Sequence, residues 1–467
     1  MRSTIPIFLN STVSNMKGLY CIAYVYPTDV IIYSRFTVEN IKFINISNTA
    51  KDCGGSGLWI NNGRNEGNIF TLFVNFIDID FIQCSTEFGG GGFGLGDSDS
   101  VKPTDLTFIR CNFIGNSCRN KASNGGGALW IRTSANCLIQ NCTFKDNFSW
   151  ENQKADGGCI YLSFTSDLFT MSISDSSFIN NSCLNSDSLG HAIYTPILYG
   201  TISLNRCNFT DNGCNCQKPN SIIHTLSHLD ANECNFTCTN KENSFSRALY
   251  VGISSPLTLI NSYVCNFTHE AENGGAIYYS SSDDRINEVL EIINDTFIDN
   301  SAVKGTEFYL SIIEEPTIKN CTFSNKYIES DLVVFDFFFG LAGDRFAVVF
   351  NELHFIENNF KGNKVLSVLA EDVEITIDEI HLLNCEFIMN DNFKFASLED
   401  IKLTISDTLF QDNVFNNSLF FINSENETLI TNGTFRNNKY LPTDGFTTDD
   451  TAVFVINQSA DFYISNS

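Results

Sequence analysis

The sequence predicts an all-β chain wound as a parallel β-helix, with about fourteen coils stacked in one solenoid. Three observations predict it. A phenylalanine-anchored motif recurs at Phe43, Phe81, Phe113, Phe144, Phe178, Phe209, Phe236, Phe267, Phe297, Phe323, Phe355, Phe387, Phe410 and Phe435, at separations of 23 to 38 residues. Asparagine follows nine of these anchors at plus three, including Asn116, Asn147, Asn181, Asn212 and Asn300. A glycine run and a short apolar segment fall between anchors, as in Gly125-Gly-Gly-Ala-Leu-Trp130.

The segment Leu106–Trp130 shows how one coil is built. Leu106/Phe108 and Cys111/Phe113 each alternate with period two, as a strand does. Ile109-Arg110 separates these clusters, Asn116 ends the second, and Ala128-Leu129-Trp130 supplies a third strand. Such a turn cannot bury its apolar face alone, so it has meaning only in a stack. The irregular spacing suits strands in register joined by variable loops. Propeller blades need about 40 residues each, and a leucine-rich or ankyrin array keeps a fixed period.

The columns of the stack follow from the repeat. Phe113, Phe144, Phe178, Phe209, Phe236, Phe267 and Phe297 are expected as one buried pile. The plus-three asparagines are expected at sharp bends, because Asn tolerates the left-handed backbone and bonds its own neighbouring backbone. Two residues before the anchor an inward column carries Cys111, Cys142, Cys207, Cys234, Cys265, Cys321 and Cys385. Between them an outward column reads Asn112, Thr143, Ser177, Asn208, Asn235, Asn266, Thr296 and Thr322, neutral and polar. Residues 1–34 are irregular and read as a partial cap; 35–467 read as the repeat body.

Phe-x-x-Asn paired with Gly-Gly-Ala-Ile/Leu resembles the repeat of the polymorphic membrane proteins of chlamydiae, and similar repeats occur in surface proteins of trichomonad parasites. The matching residues are Phe113/Asn116 with Gly126-Gly-Ala-Leu129, Phe144/Asn147 with Gly157-Gly-Cys-Ile160, and Phe297/Asn300 after Gly274-Gly-Ala-Ile277. The resemblance implies a right-handed β-helix of the pectin-lyase-like class, displayed at a cell surface and linked to adhesion. The bacterial proteins end in an outer-membrane barrel, and no segment here reads as one.

Composition narrows the function. Fifty-four Asp and Glu against 28 Lys and Arg give a net charge of −26, which repels nucleic-acid phosphates and argues against nucleic-acid partners. The acids are scattered, and no calcium nonapeptide repeat is present, so no metal or cofactor is expected. Among 17 cysteines, Cys207, Cys234 and Cys265 are a candidate disulfide column, since strand spacing lies inside the Cα range of a disulfide. Cys118, Cys183, Cys214, Cys216 and Cys238 near turns are further candidates, with free buried thiols and a zinc site through Cys207, Cys214 and Cys216 as alternatives. Asn-x-Ser/Thr is dense, and Asn208, Asn235 and Asn266 are candidate glycosylation sites on the outward column. Cysteines and sequons together favour an extracellular or cell-surface location.

No signal-peptide core is evident, and the most apolar window, residues 332–350, is broken by Asp336, Asp344 and Arg345. The chain stops within a coil at Ile464-Ser-Asn-Ser467, so an anchor outside this chain and edge-to-edge self-association are expected. Enzymes of this fold class need an acid and a base clustered on one sheet face. Only His354 and Glu386 are expected to break the neutral outward column. His224 and His228, four residues apart along a strand, lie about 13 Å apart and do not share an ion. Gly89–Gly96 falls where the coil's glycine motif belongs and lacks the helix of a dinucleotide fingerprint. The expected function is therefore a non-enzymatic surface β-helix binding an unidentified protein or glycan. A carbohydrate-active enzyme of the pectin-lyase fold and a structural stalk are the alternatives.

Overall fold

A computed structural model describes residues 8–18, 23–25, 33–50, 54–60, 71–96, 104–119, 125–132, 136–150, 156–163, 169–184, 189–196, 200–213, 220–239, 246–252, 255–280, 289–311, 316–326, 331–336, 345–358, 365–369, 376–388, 390, 396–399, 402–415, 420–423, 428–440, 454–458 and 462–465. All regular elements among them are strands, and the strands pair in parallel from one coil to the next, so the fold is a β-solenoid. The chain divides into two compact units, Met1–Val251 and Gly252–Ser467.

In the first unit one coil comprises β1 (Thr104–Ile109), β2 (Asn112–Ile114), β3 (Ser117–Arg119) and β4 (Leu129–Ile131). The next comprises β5 (Cys137–Gln140), β6 (Thr143–Lys145), β7 (Phe148–Trp150) and β8 (Ile160–Leu162). Each strand pairs in register with its counterpart, β1 with β5 through to β4 with β8. Each of these two coils thus has one short strand more than the sequence suggested, the one after the asparagine. Three residues in each of these coils turn the chain in the left-handed region: Arg110 (φ 53°), Gly115 (φ 63°) and Gly126 (φ 80°), then Asn141 (φ 53°), Asp146 (φ 57°) and Gly157 (φ 65°). Within residues 1–34, the strand Phe8–Gly18 pairs in parallel with Tyr33–Asn48.

In-register stacking places like on like. In the first unit the rings of Phe43, Phe81, Phe113, Phe144, Phe178, Phe209 and Phe236 pile at centroid spacings of 4.6–5.0 Å, tilted by 4–11°. In the second unit Phe297, Phe323, Phe355, Phe387, Phe410 and Phe435 do the same at 4.6–5.5 Å. Phe267 corrects the expected pile. The residue in register with Phe297 is Val264, and Phe267 lies three residues on, its backbone N–H donating to Asn300 Oδ1 at 2.9 Å. Cys265 consequently aligns with Ile298 rather than with the cysteine column, and Asn266 is the half-buried left-handed corner (φ 64°), not an outward-column residue. The tally of about fourteen coils rested on one unbroken phenylalanine column, and it does not hold in that form.

The role expected for the asparagines is also corrected. None of Asn116, Asn147, Asn181, Asn212 and Asn300 has a positive φ; the left-handed residue is the one before each of them. Their amides bond between coils instead. Asn147 Nδ2 donates to the Phe113 carbonyl at 2.8 Å and to Asn181 Oδ1 at 2.9 Å, while its Oδ1 accepts from the Asn116 backbone N–H and from Asn116 Nδ2, both at 3.0 Å. Both donors and both lone pairs of a fully buried amide are satisfied, which removes the cost of burying it. Asn300, Asn325, Asn358, Asn390, Asn413 and Asn438 continue the same ladder within the second unit. Asn325 sits two residues after Phe323, not three, so the plus-three rule misses it.

The cysteine column contains free thiols. Cys207, Cys234 and Cys265 are all reduced and buried, as are Cys118 and Cys183 near turns, whereas Cys238 is disulfide-bonded and Cys214 and Cys216 lie outside the described residues. The geometry gives the reason. In-register parallel neighbours hold their Cβ atoms about one strand spacing apart, ~4.8 Å, beyond the ~3.5–4.5 Å that a disulfide requires. The thiols donate to carbonyls of the preceding coil instead, Cys111 to Phe76 at 3.6 Å and Cys207 to Ile173 at 3.4 Å. Burial pushes the Cys84 thiol up to about 11 and the Cys385 thiol up to about 12, so neither is a ready nucleophile.

In the second unit one coil comprises β9 (Leu290–Ile293), β10 (Thr296–Ile298), β11 (Ser301–Lys304) and β12 (Phe308–Ser311). Asp295, just before β10, takes a place in the inward column. Its Oδ1 accepts the Ser262 backbone N–H at 2.6 Å, and its Oδ2 is buried without a hydrogen-bond partner. Burial pushes its carboxyl up to about 8. The folded chain then keeps a proton that the unfolded chain releases, so this group makes stability fall as pH rises from about 4 to about 8. Asp295→Asn should abolish that component. Urea midpoints of variant and parent at pH 5 and pH 8.5 test it, and parallel pH dependence of the two proteins would contradict the assignment.

Candidate functional site

Three columns of side chains lie outside the phenylalanine pile. The first is the column just before each phenylalanine. In the first unit it reads Lys42, Asp80, Asn112, Thr143, Ser177, Asn208 and Asn235 in register. In the second it reads Tyr263, Thr296, Thr322, His354, Glu386, Leu409 and Thr434. The expectation that only His354 and Glu386 depart from Asn, Thr and Ser is therefore corrected: Lys42, Asp80, Tyr263 and Leu409 depart as well. The earliest anchors, Phe43 and Phe81, lack the plus-three asparagine, and the residues before them escape a reading built on the complete motif.

Three pairs of charged groups in the first unit close on one another. Lys42 Nζ lies 2.8 Å from Asp80 Oδ2, and Asn112 Nδ2 donates to Asp80 Oδ1 at 2.8 Å. Arg110 holds Asp78 with two parallel hydrogen bonds of 2.7 Å, and Arg206 holds Asp175 at 2.7 and 3.1 Å. The hydrogen bond to Asp80 raises Lys42 above the ordinary lysine value, and the Arg110 guanidinium holds the Asp78 carboxyl below the ordinary carboxylate range. Both shifts move these groups away from neutral pH. Neither Lys42 nor Asp78 alternates between acid and base there, as proton-transfer catalysis requires.

In the second unit, pairing of adjacent coils places His354 Nδ1 2.9 Å from Glu386 Oε2, both half-exposed. The carboxylate fixes the imidazole's orientation. In register on either side stand Thr322 and Leu409, which supply neither a second acid nor a cation. His228 pairs with Asp230 of its own strand at 2.7 Å, while His224 lies against the Tyr250 ring at 4.1 Å. Among the described residues no three His, Cys, Asp or Glu side chains gather to hold a metal ion.

The second surface lies on the outer side of the strand opened by the glycine motif. There the register runs Trp59, Gly94, Trp130, Tyr161, Tyr194 and His224. Gly94 lets Trp59 and Trp130 stack across the coil between them, centroids 5.3 Å apart. A Cβ at Gly94 would meet the Trp59 ring at 2.5 Å, and one at Gly96 would meet the Trp130 ring at 2.3 Å. The glycine run is thus shaped around two indoles. These aromatics are nearly fully buried beneath Phe88 and Leu189, so they form an outer core.

The third surface is open, and sequence reasoning missed it. On β7, Phe148 and Trp150 face outward on either side of inward Ser149. Ser117 and Arg119 of β3 precede them in register, and Ser182 follows Phe148 on the next coil. Leu184, whose N–H continues this ladder to Ser149, is 59% exposed. The Arg119 guanidinium lies over the Trp150 ring, 4.0 Å from its centroid. The result is an aromatic pair bordered by two hydroxyls, a stacked cation and an exposed leucine. Planar apolar faces beside hydrogen-bonding groups are what a sugar ring or an extended peptide stacks upon. The alternation in Asn147-Phe-Ser-Trp150 is the one signal that could have revealed it.

No family model matches the chain, and no curated protein matches it. A solved alginate lyase of polysaccharide lyase family 6, AlyGC, aligns with 8% identity and a TM-score of 0.14, over 91% of this chain and 97% of the lyase chain. A likeness that low carries no argument.

Proposed function

We propose that the protein is a non-enzymatic β-helix of the cell surface or extracellular space that binds a protein or glycan partner. The observation that supports this best is the open Arg119/Phe148/Trp150/Leu184 surface, an apolar and cationic face that the solenoid core does not use. The resemblance of the repeats to polymorphic membrane proteins points the same way. Among the described residues no helix is long and apolar enough to cross a membrane. Trp150→Ala leaves the phenylalanine and asparagine columns intact. Against arrays of glycans and matrix proteins, it should weaken the parent's best ligand about 30-fold, the effect of losing a hot-spot tryptophan of about 2 kcal/mol. Binding unchanged in Trp150→Ala would remove this surface from the reading.

A second reading, a carbohydrate-active enzyme, has one observation in its favour, the 2.9 Å contact of His354 with Glu386. The proposal expects no release of unsaturated or reducing ends from alginate, pectin or hyaluronan. Release that disappears in Glu386→Gln would establish the second reading in its place.

A further inference from the structure

Resting on the extracellular reading above, we infer that N-linked glycans attach at the left-handed corners of the coils and not along the asparagine ladder. Leaving aside half-buried Asn266, whose sequon ends in buried Thr268, the corner sites are Asn45, Asn141 and Asn180 in the first unit and Asn294, Asn320 and Asn432 in the second. Each is exposed, has φ between 51 and 61°, and begins an Asn-x-Ser/Thr sequence. The register accounts for the last property. Two residues beyond such a corner the chain faces outward, at Ser47, Thr143, Ser182, Thr296, Thr322 and Thr434, where a hydroxyl costs nothing to expose. Two residues beyond a ladder asparagine it faces inward, at Cys118, Ser149 and Cys183. Asn147 is the one ladder asparagine that begins a sequon, through the chance of Ser149.

Hydrogen counting separates the two classes. Glycan transfer from a polyprenyl-pyrophosphate oligosaccharide forms a bond from Nδ2 to the sugar's anomeric carbon. The bond from that carbon to the pyrophosphate oxygen breaks, one Nδ2 proton is lost, and pyrophosphate-linked polyprenol leaves. The modified amide keeps one N–H. At the corners one is enough: Asn180 Nδ2 donates to Asp146 at 2.7 Å, Asn294 to Asn261 at 3.1 Å, Asn320 to Asn294 at 2.8 Å and Asn432 to Asp407 at 2.9 Å, one bond each. Asn147 uses both hydrogens, at 2.8 and 2.9 Å, inside a fully buried column. A sugar there removes a ladder bond and has no room.

The test is site occupancy in the full 467-residue chain, secreted from a eukaryotic host with a supplied leader. Folded, soluble protein is treated with peptide-N-glycosidase in heavy-oxygen water, and the resulting aspartates are read by mass spectrometry. Label is expected at the six corners and none at Asn147. Label at Asn147 in folded material, or unlabelled corners, overturns the inference. Asn141→Gln and Asn294→Gln should each remove one glycan mass and leave Tm unchanged, while Asn147→Gln should lower Tm without changing the glycan mass. The surface reading fails separately: protein from its natural source that carries no glycan, while the secreted form is modified at its corners, would refute the location and leave the site assignment standing.

Discussion

Phe144→Ala should lower the stability of the first unit by about 3–5 kcal/mol, the cost of a cavity left by a buried aromatic. Phe144 is fully buried, and its ring lies flat between Phe113, at 4.8 Å and 4°, and Phe178, at 4.7 Å and 7°. Both neighbours belong to other coils, so the truncated ring opens a void that spans three coils. Neither can fill it, because each is held in register by its own backbone ladder. Phe435 provides the contrast within the second unit. It stacks on Phe410 at 4.8 Å but is half-exposed, and Phe435→Ala should cost less than half as much. In a solenoid, stability is roughly a sum of coil terms and nearest-neighbour terms, so the loss should appear in unfolding of the affected unit. Denaturant unfolding of both variants decides the matter. A loss under 1 kcal/mol for Phe144→Ala would mean that the column is not close-packed.

Much of this architecture was legible because stacking makes each coil repeat the chemistry of the last. The period-two alternation around Phe113, the phenylalanine pile and the glycine-led strand could all be read from residue order. What escaped depends on a choice between two registers or on a neighbour outside the segment. Cys265-Asn-Phe267 copies Cys111-Asn-Phe113 letter for letter, yet the coil is set three residues earlier on Val264. The residue five positions back gives the warning: before Val264 it is buried Leu259, whereas before Phe267 it is Ser262. Burial of the whole apolar strand outweighs the local copy. The asparagines were placed at the right corner and given the wrong task, since a propensity for left-handed backbone is a property of one residue and an amide ladder is a property of several coils. The thiols follow the same lesson. Cα spacing allowed disulfides, and the Cβ geometry of in-register parallel strands does not favour them. The outward aromatic pair was hidden for a simpler reason: each repeat has a different loop after the asparagine, so no column pattern marks that strand.

Asn147→Asp should be the most damaging change that keeps side-chain shape. The substitution replaces the Nδ2 donor with an oxygen that faces two acceptors, the Phe113 carbonyl at 2.8 Å and Asn181 Oδ1 at 2.9 Å. As a carboxylate it would bring an unpaired charge into a fully buried column, an environment that a charged group tolerates only when paired. The folded protein must therefore keep the carboxyl protonated, and even then one O–H serves only one of the two acceptors. Near pH 4.5 the variant should lose about 1–3 kcal/mol, the cost of one buried group left unsatisfied. Because the folded form holds a proton that the unfolded form releases above about pH 4, the deficit should grow steadily towards pH 8. Asn141→Asp, one corner earlier and exposed, should stay within about 0.5 kcal/mol of the parent throughout. Thermal unfolding of the two variants at pH 4.5 and pH 8 tests the ladder directly. If Asn147→Asp matches the parent at pH 8, the amides are not bonded from coil to coil, and the coils are held by the strands and the phenylalanine pile alone.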